Sequence, residues 1–207
     1  MSRDEMAGAV RAARERGTYV VAHASSSMAI RVGLEAGVRC FEHAYMLDPD
    51  TAAEMVDADA YLTPTLVVTH ALDWMEGAGF DAAAQGRSSR MADLHTASAA
   101  AAIEAGVHIV HGTDFPPGAR TGGTTIAVRE LELLVDAGLT PLDALRAATR
   151  TPGTLLRLGP EFGTLGVGAP ADVIAVEADP LRSVSALRRI RMVMREGAIV
   201  VNPKMAG

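Results

Sequence analysis

Short apolar runs alternate with longer amphipathic stretches along this chain. Residues 5–16 carry apolar positions at helical spacing. Ser2 and Glu5 form a capping-box pair ahead of them, and Gly17 ends the segment. Residues 19–22 then make a β-prone run, residues 25–36 a helix stopped by Gly37, and residues 38–41 a second strand. Asp48-Pro49 opens a helix reaching residue 58, with proline at its first position. Beyond it the pattern predicts a third strand over 61–68, a loop over 77–86, an Ala-rich helix over 91–105 and a fourth strand over 107–110. Glu35-Ala36-Gly37-Val38 and Glu104-Ala105-Gly106-Val107 are near copies, each reading as helix end, glycine turn and strand start. Apolar strands separated by helices predict a parallel α/β architecture, with strands buried on both faces.

After Asp114 the texture changes. Residues 115–123 hold two prolines and three glycines and predict a loop. Amphipathic helices are expected over 124–137 and 141–148, the second with Thr140 as N-cap and Pro141 at its first position. A short helix follows over 151–158, then a turn-rich stretch over 163–170. Strands are expected over 171–176, 190–194 and 198–201, the last two joined by Glu196-Gly197. This predicts a division near residue 160, with the helix–strand repeats in 1–160 and a small β element in 161–207.

Composition narrows the class. The chain has 207 residues and is 49% hydrophobic, enough for a real core and against disorder. A net charge of -6 and a scarcity of aromatics exclude an electrostatic nucleic-acid surface. No apolar stretch is long enough to span a membrane, and the charged start lacks a signal-peptide pattern, so the expectation is cytoplasmic. The single cysteine, Cys40, lies inside a strand run and reads as a packing residue.

Candidate chemistry sits where apolar runs end. Val20-Val21-Ala22-His23 and Cys40-Phe41-Glu42-His43 end in histidine, and His111-Gly112-Thr113-Asp114 follows the fourth run and ends in aspartate. Parallel α/β folds bind ligands at the carboxyl ends of their strands. Strand alternation places Tyr19, Val21 and His23 on one face, and likewise Arg39, Phe41 and His43. Two imidazoles and a carboxylate are ligands that a hydrolytic zinc, manganese or iron centre uses, zinc being the first expectation, and such an ion would lower the pKa of a water from 15.7 to roughly 7. Asp114 is a candidate for both ligand and proton acceptor. His111, an odd number of positions from Asp114, is expected to face away in a supporting or structural role. His70, after the third run, and Arg120, in the following loop, are candidates for contacting a small-molecule substrate. A surface role is the competing reading for both. His95, in mid-helix, reads as solvated or packed. Gly166-Val167-Gly168-Ala169-Pro170-Ala171 has dinucleotide-site spacing but precedes a strand, and no G-x-S-x-G elbow exists.

Val21-Ala22-His23-Ala24, Glu42-His43-Ala44, Thr63-Pro64-Thr65-Leu66, Gly112-Thr113-Asp114, the run 131–149 and the tail 163–174 follow one another in an order and spacing that resemble the amidohydrolase superfamily, in its imidazolonepropionase-like and Xaa-Pro dipeptidase-like branch. The resemblance implies a metal-dependent hydrolase of amide-type C–N bonds. It places His23, His43 and Asp114 at strands five, six and eight of a TIM barrel, as metal ligands, with the tail as part of a small β-sandwich. The family's His-x-His pair and strand-four lysine have no counterpart, since the one lysine is Lys204. The fold expectation is therefore a partial (β/α)8 barrel, strands five to eight, plus C-terminal sandwich strands. Weak activity alone is expected. The alternative is a non-catalytic α/β subunit, either a homo-oligomer or one complementing a separate N-terminal half.

Overall fold

A computed structural model describes residues 2–201. The elements run α1 (Arg3–Glu15), β1 (Val21–Ser26), α2 (Ser27–Ala36), β2 (Cys40–Met46), α3 (Pro49–Asp57), β3 (Tyr61–Thr63), α4 (Val67–His70), α5 (Leu72–Gly77), α6 (Ala82–Ala105) and β4 (His108–Ile109). After these come β5 (Arg120–Thr121), β6 (Thr124–Thr125), α7 (Ile126–Asp136), α8 (Pro141–Ala148), α9 (Arg150–Leu155), β7 (Val173–Val176), a 3-10 turn (Val184–Arg188), β8 (Ile190–Arg195) and β9 (Ala198–Val201).

Strands β1 to β4 form one sheet in sequential order, parallel throughout. The two copied stop signals behave alike: Gly37 and Gly106 cap α2 and α6 in the left-handed region, at φ 89 and 90. Only glycine takes that conformation cheaply, so each helix reverses directly into a strand. Side-chain caps fall where the sequence puts them at Ser2 with Glu5, Asp48 and Thr140, whereas Ser26, inside the stretch expected to be helical, ends β1 and caps α2.

The sheet is covered unequally. Phe41, Leu62 and Ile109 pack into the large core with Ile30, Met55, Ala99, Ala102 and Leu134 from the helices. Among the described residues, the buried apolar cluster on the opposite face is small: Cys40, Tyr61 and Val110, with Tyr19 and Leu155 against them. The expectation of strands buried on both faces is thus met only in part. β1 ends the sheet, and Val21 is 49% exposed because nothing packs beyond it.

Three expectations fail locally. Residues 61–68 are not one strand: Pro64 breaks the run, and Val67–His70 turns helical. Residues 77–86 are not wholly loop, because Asp81 caps a helix that begins at Ala82, well before Met91. The loop 115–123 contains β5, the first strand of a hairpin with β6.

Strands β7, β8 and β9 form a separate antiparallel sheet. The turn Val184–Arg188 fastens it to the first part. Val184 packs with Leu131 and Ala144, and Arg188 makes two 2.7 Å hydrogen bonds to the Glu132 carboxylate, which Ser185 also contacts at 2.7 Å. Lys204 lies outside the described residues.

Candidate functional site

Val21, Glu42, His43, Thr63, Thr65, Gly112, Thr113 and Asp114 line a cleft of about 260 Å³ that runs from the start of β1 over the C-terminal parts of β2 and β3 to the segment after β4. Its breadth depends on Gly112, where a Cβ would come within 2.5 Å of Thr63 Cγ2. His23 and His43 meet edge to face, ring centroids 4.5 Å apart. Their relation differs from simple alternation. Phe41 points into the helix-side core, and a regular strand would send His43 the same way. Instead His43 has φ 75, and consecutive residues Glu42 and His43 both reach the cleft. Thr65 and Asp114 are also left-handed, at φ 56 and 57. Such backbone costs on the order of 1–3 kcal/mol in a non-glycine residue and persists where neighbours over-determine it.

The buried His43 ring is held on two sides. Its Nδ1 lies 2.7 Å from Thr65 Oγ1, and its face stacks on Tyr45 at 5.3 Å. No hydrogen bond to its Nε2 occurs among the described residues. Burial lowers the His43 pKa, and the neighbouring His23 adds to this against the pull of Asp114. The ring is therefore held toward its neutral, ligand-competent form. Burial raises the Glu42 carboxyl, opposed by hydrogen bonds from Thr63 and Cys40 and reinforced by Asp114. Cys40 is buried, and its thiol is pushed up to about 12 by burial and by Glu42. It is a packing residue.

His23, His43 and Asp114 thus share one region, yet they do not converge on a point. Among the described residues no three His, Cys, Asp or Glu side chains are arranged to hold a metal ion. The sheet order separates them: β3 lies between β2, which carries His43, and β4, beyond whose end the chain runs on to Asp114. By type the donors, two imidazoles in contact and a carboxylate on the cleft lining, fit part of the ligand shell of a borderline divalent ion.

The other sequence candidates lie elsewhere. His70, at the end of α4, bonds the Leu66 carbonyl at 2.8 Å and approaches Thr96 at 3.3 Å. It does not line the cleft. Arg120 is exposed and donates to the Gly123 carbonyl at 3.0 Å. His111 donates from Nε2 to the Ala127 carbonyl at 2.8 Å, a structural tie to α7.

Two buried polar residues stand behind the cleft: His95, for which the sequence left solvated and packed readings open, and Glu130, which sequence reasoning missed. His95 is fully buried, with Nε2 3.1 Å from the His43 carbonyl and 2.9 Å from that of Pro64. Glu130 is also fully buried and accepts hydrogen bonds from the Leu66 and Val67 amides at 2.9 and 2.8 Å. A signal existed for both. His95 shares a helical stripe with Ser98, Ala99 and Ala102, and Glu130 sits on the apolar stripe of Ile126, Leu133 and Leu134.

A parallel sheet with its helices on one face, and polar donors gathered where its strands end, defines an α/β protein of the kind that binds ligands at strand C-termini. The model of the amidohydrolase family matches residues 1–200, and the chain belongs to that family. It is 30% identical to ochratoxinase of Aspergillus niger over 194 residues, covering 93% of this chain and 39% of the relative. The crystal structure of an amidohydrolase superposes with TM-score 0.87 at 32% identity, over 98% of this chain and 49% of that one. A Xaa-Pro dipeptidase with bound methionine in its active site superposes with TM-score 0.83 at 26% identity, over 96% and 48%. The chain thus spans about half the length of these relatives, or less.

Proposed function

We propose that this chain supplies one part of a metal-dependent hydrolase acting on an amide-type C–N bond in a dipeptide, cyclic amide or related small molecule. The observation that carries the reading is the contact of His23 with His43, which shares the lining of a strand-end cleft with Asp114. The family membership and the dipeptidase and ochratoxinase relatives support the bond type. His23 and His43 would hold one divalent ion, zinc being the expected one, and Asp114 would stand toward a second. Such an ion supplies Lewis-acid polarisation of the scissile carbonyl and an acidified water. The residues of the chain do the rest: Thr65 orients His43, the Asp114 carboxylate accepts and returns a proton, and Tyr45 covers the ring.

The sheet reads as strands five to eight of a barrel and the β7–β9 sheet as sandwich strands. The remaining ligands, a His-x-His pair and a lysine, would come from a segment outside this sequence. Purified alone, the chain is expected to bind zinc weakly and to turn over Xaa-Pro dipeptides slowly or not at all. Adding a polypeptide that carries the His-x-His pair is expected to raise turnover, and Asp114→Asn to abolish it. Full turnover by the isolated chain, lost in Asp114→Asn and with intact mass verified, would refute the shared-site reading. Absence of zinc binding with the added segment would refute the metal-dependent one.

A further inference from the structure

The turn between β3 and α4 is gripped from two helices. From α7, the Glu130 carboxylate takes the Leu66 and Val67 amides, one on each oxygen. From α6, His95 Nε2 points at the carbonyls of His43 and Pro64. Carbonyls only accept, so Nε2 carries the proton, and Nδ1 is left facing Thr69 Oγ1 at 3.0 Å. Between the two grips stands Thr65, left-handed and buried, with its hydroxyl on His43. Neither Glu130 nor His95 lines the cleft, and neither side chain reaches solvent.

We infer that Glu130 and His95 are positioning residues: together they clamp residues 64–67 so that Thr65 fixes the ring orientation and tautomer of His43. The clamp accounts for two facts at once. It supplies the over-determination that left-handed backbone at His43 and Thr65 requires. It also explains why two costly polar groups occupy the core, since a buried polar side chain is tolerated when its partners are complete. With the clamp closed, His43 Nδ1–H donates to Thr65 Oγ1, and Nε2 keeps its lone pair toward the cleft. This deepens the hydrolase reading and rests on it for its functional meaning, but its first and deciding readout needs neither metal nor substrate.

The test is long-range proton–nitrogen NMR of the metal-free, full-length chain labelled at histidine nitrogen, above neutral pH. His43 is expected as the Nδ1–H tautomer. Glu130→Gln sets an amide NH2 against a backbone N–H, and His95→Leu removes the second grip. Both are expected to convert His43 to a mixture of tautomers. Thr65→Val is expected to do the same, and Thr65→Ser to restore the original signal. Leu134→Ala, a core truncation on the same helix as Glu130, is the control and is expected to leave His43 unchanged. Cobalt titration is a second readout, with affinity expected to fall about tenfold or more in Glu130→Gln and not in Leu134→Ala. An unchanged His43 tautomer in folded Glu130→Gln and His95→Leu would overturn the inference, as would an equal response in Leu134→Ala. If Glu130→Gln does not fold, the His95 and Thr65 variants decide by the same criteria. Failure of the wild-type chain to bind cobalt, with the tautomer responses intact, would count against the hydrolase reading and leave the clamp standing.

Discussion

His95 and Glu130 sit a few residues from each other's partners, yet burial moves them in opposite directions. It lowers His95 from 6.5 to about 4, against its two carbonyl contacts, and raises Glu130 from 4.5 to about 7, against its two amide donors. Between those limits folded Glu130 keeps a proton that the unfolded chain has released. Its contribution is full below 4.5 and is lost as pH rises through about 7. His95 behaves oppositely: its contribution is full above 6.5 and is lost as pH falls through about 4. Glu130→Gln removes the first term and leaves every other group common to both proteins. Wild-type stability relative to this variant is therefore expected to decline by on the order of 3 kcal/mol from pH 4.5 to 7, measured by urea denaturation at stepped pH. Parallel profiles would show that Glu130 does not titrate there. The contrast with His23, His43 and Asp114 shows what a sequence exposes at this scale. Those three stand where apolar runs stop, so position alone marks them. Thr65, His95 and Glu130 act through contacts 22 to 64 residues distant, and no local pattern encodes the partner.

Among the elements, the helices with capping residues and glycine stops were legible, because each signal is local chemistry. The stretch 61–68 was not. Its apolar run fits a strand, and what diverts it is Pro64 together with the Glu130 carboxylate, which takes over the amides of Leu66 and Val67. Helix α7 presents a second buried carboxylate two residues on, and this one faces the other way. Burial would raise Glu132, but Arg188, Ser185 and Arg129 more than offset it and bring it to about 2. Its contribution is thus present above 4.5 and lost as pH falls through about 2. Arg188→Ala is expected to cost about 1.5–3 kcal/mol near neutral pH, the range for hydrogen bonds to a charged group. The deficit should shrink in acid as the wild-type carboxylate protonates. Hydrogen exchange should place the loss in residues 184–195 and on the α7 face beneath them. A uniform loss over the β1–β4 sheet would mean that the contact is not a local fastener.

For the whole molecule, the sheet has two ends, β1 and β4, and a face that holds little beyond Cys40, Tyr61, Val110 and the cleft. An unpaired parallel strand leaves every second amide facing outward, a template for another chain. Val21 and His23 lie on that outer strand, so one of the two imidazoles is carried by an end strand of the sheet. Relatives about twice as long supply additional chain, and a segment that pairs with β1 would protect this edge and steady His23 in one step. The isolated chain is therefore expected to self-associate with rising concentration in sedimentation velocity, with rapid exchange at alternate amides of Val21–Ser26. Adding the part of a relative such as the Aspergillus niger ochratoxinase that this chain does not match is expected to give a one-to-one complex in which those amides become protected and the self-association ends. Protection of Val21–Ser26 by self-association alone, unchanged by the added part, would instead identify a second copy of this chain as the partner of that edge.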